Sequence, residues 1–210
     1  MTKKRILLLG AGGHARASID VIEQEGQFAI GGLIGVTEEV GGEIFGYSVL
    51  GTDADLPALR HQYDFALVTI GHIKTPQFRI RFFDALIREG YELPTIVSPH
   101  AYVSPRATLG AGTMVLHGAI INAGVRIGRN CIINTQALVE HDVMIADHCH
   151  ISTAAAVNSG VSIGAGTFIG SNASVRQCLT IGENSLIGMG QRVLADCAAG
   201  SQLPAIKELT

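Results

Sequence analysis

Of the eight histidines in this 210-residue chain, three fall within ten positions: His141, His148 and His150, the first set between Glu140 and Asp142. Imidazole has an ordinary pKa near ~6.5, so it can take a proton from an attacking amine or hydroxyl at neutral pH, provided its second nitrogen is held. Asp142, adjacent to His141, is the group to hold it. A polar histidine lying idle on a strand would need neither that carboxylate nor a second histidine nine residues on. His117, the other histidine of this kind further upstream, reads as a surface residue.

A second place with chemical potential is the run Gly10-Ala11-Gly12-Gly13-His14-Ala15. It follows the apolar stretch 6–9 and precedes a helical pattern through Ile19, Val21 and Ile22. Strand, glycine loop and helix in that order open a Rossmann-type unit, in which the helix N-terminus can receive a phosphate. Tight turn geometry alone would also ask for these glycines. Further strands over 29–34 and 65–70 and a helix over 78–90 complete an open parallel sheet. Ligands of such sheets bind at the strand C-termini, here near Gly12, Gly35 and Gly71.

What positions the histidine group is a repeat. Stepping by six from Val103 to Val193, the chain meets sixteen aliphatic residues without exception, fifteen of them β-branched. Neither a 3.6-residue helix nor a two-residue strand period produces this; a hexapeptide parallel β-helix does. Each hexad supplies a short strand and a corner, and three hexads close a coil, so residues 18 apart stack at roughly 4.8 Å. The residue four after each aliphatic is usually small, as in Ala119, Cys131, Ala137 and Cys149, which suits a tight corner. Gly110, Gly128, Gly164, Gly170 and Gly182 directly follow the aliphatic and are expected to take backbone conformations closed to other residues. No insertion breaks the hexads, so any cleft must lie between molecules or against the first domain.

Pro94, Pro99 and Pro105 bracket a segment, 94–105, that breaks both periodicities and reads as a linker. The expected division is an α/β Rossmann-like domain over 1–96, an all-β left-handed parallel β-helix over 97–200, and a tail over 201–210. A composition 47% hydrophobic and 16% charged predicts extensive burial, and a net charge of −3 without any Lys/Arg run argues against nucleic acid or an anionic membrane surface as partner. The apolar stretch after Arg5 is too short for a signal peptide and none approaches a ~20-residue span, so a cytoplasmic location is expected. The four cysteines lack CxxC spacing and read as packing residues.

Gly12-Gly13-His14, the stretch 66–71, Leu93-Pro94-Thr95-Ile96, the unbroken hexads, and Asn134 ahead of His141-Asp142 with His150 nine positions on together resemble one family over essentially the whole chain. It is that of the sugar O- and N-acetyltransferases typified by the bacillosamine-pathway and perosamine N-acetyltransferases. The resemblance implies a homotrimer with acetyl-CoA between neighbouring β-helices and a nucleotide-linked amino sugar on the N-terminal domain. His141 would be the general base tuned by Asp142, and His150 would approach the thioester. Ser171 and Met189 would line the coenzyme cleft, and Gly12, Gly13 and His14 the nucleotide-sugar loop. Backbone amides near Ser159 or Gly160 are the expected oxyanion donors for direct transfer to a 4-amino group.

The chain departs from that family twice. Relatives carry an acidic pair after the second strand, at the nucleotide base or ribose, where this chain has Gly35-Val36. They also end in a Gly-x-Pro-Ala-Lys/Arg segment near the coenzyme, where this chain reads Gly200-Ser201-Gln202-Leu203-Pro204-Ala205-Ile206-Lys207. Rival readings are a sialic-acid-type O-acetyltransferase, a zinc hydrolyase of the γ-carbonic anhydrase type, and a non-enzymatic nucleotide-sensing module. The zinc reading fits poorly, because that family's histidine pair lies five apart and the spacings here are seven and two; no metal is expected.

Overall fold

Leu7 and Leu9 of the first strand bury on one side of a sheet and Ile6 and Leu8 on the other, the two-residue alternation that lets one strand serve two cores. The computed structural model describes residues 3–204. Its N-terminal part comprises β1 (Lys4–Leu9), α1 (Gly13–Glu25), β2 (Phe28–Ile34), β3 (Glu43–Ile44), β4 (Tyr47–Gly51), α2 (Leu56–Leu59), β5 (Phe65–Val68) and α3 (Gln77–Arg88). The sheet order is β3-β4-β2-β1-β5, parallel apart from β3, which pairs antiparallel with β4. The hairpin β3–β4 and the short α2 were not expected from periodicity.

From Ile96 onward the chain winds a three-faced prism of parallel two-residue strands. One face, which we call the docking face, stacks seven strands from Ile96–Val97 to Gln202–Leu203. The second face carries six strands from Tyr102–Val103 to Arg192–Val193, and the third carries five from Thr108–Leu109 to Thr180–Ile181. The aliphatic register points inward and, from Val115 to Val193, forms one buried column with the small corner residues Ala119, Cys131, Ala137 and Cys149. Cutting one of these side chains back, for example Ile133→Ala, would cost ~2–5 kcal/mol, because a packed column has no room to collapse into the void.

Several expectations need correcting. The 94–105 segment is not a spacer, because Ile96–Val97 already pairs with Met114–Val115 and extends the register one hexad back to Val97. The glycines directly after the aliphatics do not take left-handed conformations; positive φ falls two positions later, as at Gly112 (67°), Asn130 (53°), Asp142 (61°) and His148 (62°). Gly128 and Gly170 are instead required by stacking, since a Cβ at Gly170 would lie 2.6 Å from the Gly188 carbonyl carbon of the next coil. Cys131 and Cys149 are buried as expected, whereas Cys178 is exposed at a corner. His117 is no idle surface residue: its ring bonds Ser98 Oγ (2.6 Å) and Asp20 Oδ2 (2.8 Å).

That last contact belongs to a seam joining the two parts. Ile96, Met114, Leu116 and Ile132 on the docking face share one core with Ile6, Ile19, Ile22 and Leu67. On the α3 flank, the fully buried Arg79 donates to the carbonyl oxygens of Val68 (2.9 Å), Ile70 (2.7 Å) and Asn130 (3.1 Å). The strand ends of the sheet are thereby fixed against the prism.

Candidate active site

At those strand ends lies a cavity of ≈ 600 Å³. Gly12, Gly13, His14, Gly35, Val36 and Gly71, which follow the C-terminal ends of three different strands, β1, β2 and β5, all line it. α1 begins at this cavity without a side-chain cap and without an acidic residue in its first turn, so its first amides stay open to an anion. A Cβ at Gly12 or Gly13 would meet nothing within 4 Å, so glycine there keeps the backbone open to approach from the cavity. The cavity also holds groups that sequence reasoning missed: Glu38, Glu39, Asp53 and Arg81. They come from 3₁₀ turns at Thr37–Glu39 and Asp53–Asp55 and from α3, none of which carries a motif.

Behind the glycine loop three imidazoles are buried at the seam. Burial, with the Arg79 charge adding to it, pushes His14 and His72 down to about 3 and His150 down to about 4, so all three are neutral at physiological pH. His150 packs edge-on against Phe168, with ring centroids 5.2 Å apart, and lies 5.5 Å from His72. Its tautomer follows from its partners. The His72 carbonyl oxygen can only accept, so His150 Nδ1 carries the proton and donates over 2.8 Å. Asn134 Oδ1 accepts from Thr135 N–H (2.8 Å), which turns the Asn134 amide NH₂ toward His150 Nε2 at 3.2 Å. Both ring nitrogens of His150 are therefore occupied, whereas His14 Nε2 and both nitrogens of His72 are buried without a partner among the described residues.

His141 stands in a different setting, at the corner between the second and third faces. Its Nδ1 bonds Asp142 Oδ2 at 2.9 Å while both side chains stay largely exposed. The left-handed backbone of Asp142 turns the chain at this corner. Asn122 Nδ2 donates to Glu140 Oε2 (3.0 Å), bracing the residue before His141. Ser159 and Gly160 sit on the coil above, and Gly160 N–H is already bonded to the His141 carbonyl (3.0 Å). Of that pair, Ser159 N–H is the amide without a backbone acceptor among the described residues.

Ser171 and Met189 lie at yet another corner, between the docking and second faces, where Ser171 Oγ meets Ser152 Oγ at 3.0 Å and Met189 is 60% exposed. Within one chain the structure thus groups the nucleotide-loop residues with one another but keeps His141 a full face away from Ser171, Met189 and His150. His148 occupies the third corner, held to Asn130 Nδ2 at 2.9 Å. The three clustered histidines therefore point in three directions, and among the described residues no group of three or more His, Cys, Asp or Glu forms a metal-ligand set. Gln202 and Leu203 close the docking face, and Gln191 Nε2 donates to the Pro204 carbonyl (2.6 Å). Ala205 to Lys207 of the altered C-terminal segment lie outside the described residues.

Comparison with known proteins locates this arrangement. Residues 5–86 match the PglD N-terminal domain. Perosamine N-acetyltransferase from Caulobacter crescentus, solved as a histidine-to-asparagine variant in complex with CoA and GDP-perosamine, is 31% identical. The match covers 96% of this chain and 93% of that one, with a TM-score of 0.90. The acetyltransferase domain of PglB from Neisseria gonorrhoeae, in complex with acetyl coenzyme A, is 27% identical over 96% of each chain, with a TM-score of 0.87. WeeI from Acinetobacter baumannii, 17% identical over 91% of this chain and 94% of that one with a TM-score of 0.61, shares the fold. No curated protein matches the sequence.

Proposed function

The chain belongs to the family of sugar acetyltransferases in which a PglD-type N-terminal domain precedes a left-handed β-helix, and from that membership we propose that it transfers the acetyl group of acetyl-CoA to the 4-amino group of a nucleotide-linked 4-amino-4,6-dideoxysugar. The observation that carries the proposal is the His141–Asp142 pair. With Nδ1–H engaged by the carboxylate, the Nε2 lone pair faces outward at an exposed corner, the state a general base needs.

In the proposed reaction the sugar nitrogen attacks the thioester carbonyl carbon and His141 Nε2 takes its proton. The oxyanion is held by a backbone N–H, for which Ser159 is the better placed of the Ser159–Gly160 pair. The carbon–sulfur bond then breaks as the His141 imidazolium gives its proton to the sulfur, and CoA leaves as its thiol with no acetyl-enzyme formed. The nucleotide occupies the glycine-loop cavity.

A homotrimer supports this chemistry. His141 sits one face away from the Ser171–Met189 corner, so the corner of one copy must meet the other corner of its neighbour for acetyl-CoA to lie between them. Exposed Tyr102 and Ile120 on the second face and Met144 on the third offer apolar area for such packing. CoA thiol release with UDP-, dTDP- and GDP-linked 4-amino-4,6-dideoxysugars tests the proposal. Turnover that needs the 4-amino group supports it; turnover only with hydroxyl acceptors, or a monomer by light scattering, overturns it.

A further inference from the structure

Among the described residues Arg79 is a sealed cation without a counter-charge. It is 0% exposed, no Asp or Glu is buried with it, and it makes no ion pair. Its Nε and Nη1 are spent on the carbonyl oxygens of Val68, Ile70 and Asn130, while Nη2 is buried with no acceptor. Burial lowers the guanidinium only to about 10, so it stays charged at neutral pH. Carbonyl dipoles offset part of the cost of taking that charge out of water, and a buried charge ordinarily finds an ion of opposite sign.

The chain brings further donors to the same place. Ile70, whose carbonyl oxygen holds Arg79 Nη1 at 2.7 Å, is followed by Gly71, where a Cβ would lie 3.8 Å from His14 Cβ, and then by His72. His14 Nε2 and both ring nitrogens of His72 are sealed without a partner among the described residues. A neutral imidazole carries one N–H, so each of these rings has a hydrogen to donate. The His72 ring is fixed edge-on between His150 and Phe168, with centroids 5.5 and 6.3 Å away. The Arg79 charge helps to hold both His14 and His72 neutral, which puts it within electrostatic reach of both rings.

We propose that the seam between Arg79, His14 and His72 holds one small monovalent anion of the chloride class, bound by Arg79 Nη2 and the two imidazole N–H groups. Water would meet the hydrogen bonds but not the charge, and a sealed site favours an ion without bulk of its own. The anion ties the start of α1, the turn after β5 and α3 to one point behind the glycine loop. The assignment does not depend on what the protein acetylates.

Thermal denaturation of the full-length protein in sodium gluconate, with chloride or bromide substituted at constant ionic strength, reads the site. The melting temperature rises with either halide along a saturating curve. His72→Phe keeps a ring beside His150 and Phe168 and moves the halide midpoint ~10-fold higher, the loss of one hydrogen bond to a charged group. Arg79→Met abolishes the response. Should that variant fail to fold, crystals of the parent protein grown in sodium bromide supply the direct reading: an anomalous-scattering peak within hydrogen-bond reach of Arg79 Nη2. A melting temperature indifferent to halide at constant ionic strength, or bromide crystals that show only a water or nothing at the seam, overturns the site and leaves the acetyltransferase reading standing.

Discussion

Nine residues separate His141 from His150, and one β-helix carries both, yet they occupy opposite physical worlds. His150 is sealed between Phe168, His72 and Asn134 with both nitrogens bonded, and burial holds it neutral far below the usual imidazole range. His141 keeps one nitrogen on Asp142 and offers the other to solvent. The difference lies in where each falls in the hexad. His150 sits on a strand of the face covered by the N-terminal domain, and His141 sits at a corner left exposed by the described residues of its own chain. The same side chain is mortar in one place and reagent in the other, and neighbours rather than residue type decide which.

The sharpest way to break this comparison is His141→Ala. It is expected to lower turnover by ~10² to 10⁴-fold, the usual worth of a general base, while the melting temperature stays near that of the parent. A variant retaining near-normal turnover would end the base assignment. On the buried side the expected effect is on stability. Arg79→Ala orphans three carbonyl oxygens at ~1 kcal/mol or more each, for ~3 kcal/mol in urea denaturation.

The buried imidazoles also give stability a pH dependence with a definite sign. His14, His72 and His150 are held at about 3, 3 and 4 in the folded chain, below the ordinary imidazole value of ~6.5. The unfolded chain therefore binds more protons between roughly pH 4 and pH 6.5. Their contribution is fully present above that window and is lost as pH falls through it, by up to ~1.4 kcal/mol per pH unit for each histidine. Denaturation at pH 7 and pH 5 measures the slope; a flat profile would mean that the seam admits protons freely. The smallest expected effect is Asp142→Asn. This exposed pair should cost about 10-fold in turnover or less, close to the upper limit for a solvent-screened ion pair, with no loss of stability.

The prism was legible in the sequence because its constraint is repeated: every sixth residue from 103 to 193 must fit the same narrow interior. The register was missed where the constraint weakened. The prolines around Ile96 and Val97 masked the first strand, and near the C-terminus Ile181 bridges Cys197 and Ile187 pairs with Leu203, sixteen residues apart rather than eighteen. The glycine-loop cavity was legible because turn glycines after strands mark strand ends. Its carboxylates were not, because a 3₁₀ turn carries no periodicity and shifts the acid three residues along. His72 and Arg79 left no signal at all; their partners at the seam lie 78 and 51 residues away in sequence.

The eighteen-residue coil has a consequence for how this protein can vary over time. Adding or removing a whole coil on the C-terminal side of Ser159 lengthens or shortens the prism and leaves every upstream side chain facing as before. A change of one hexad between Ile133 and Val139 would instead swing His141 and everything after it by a third of a turn, onto a different face. Lengths drift freely in most proteins through surface loops, but within the regular hexads a change keeps every side chain on its face only in units of eighteen codons; the sixteen-residue steps occur at the C-terminal end, where no regular coil follows.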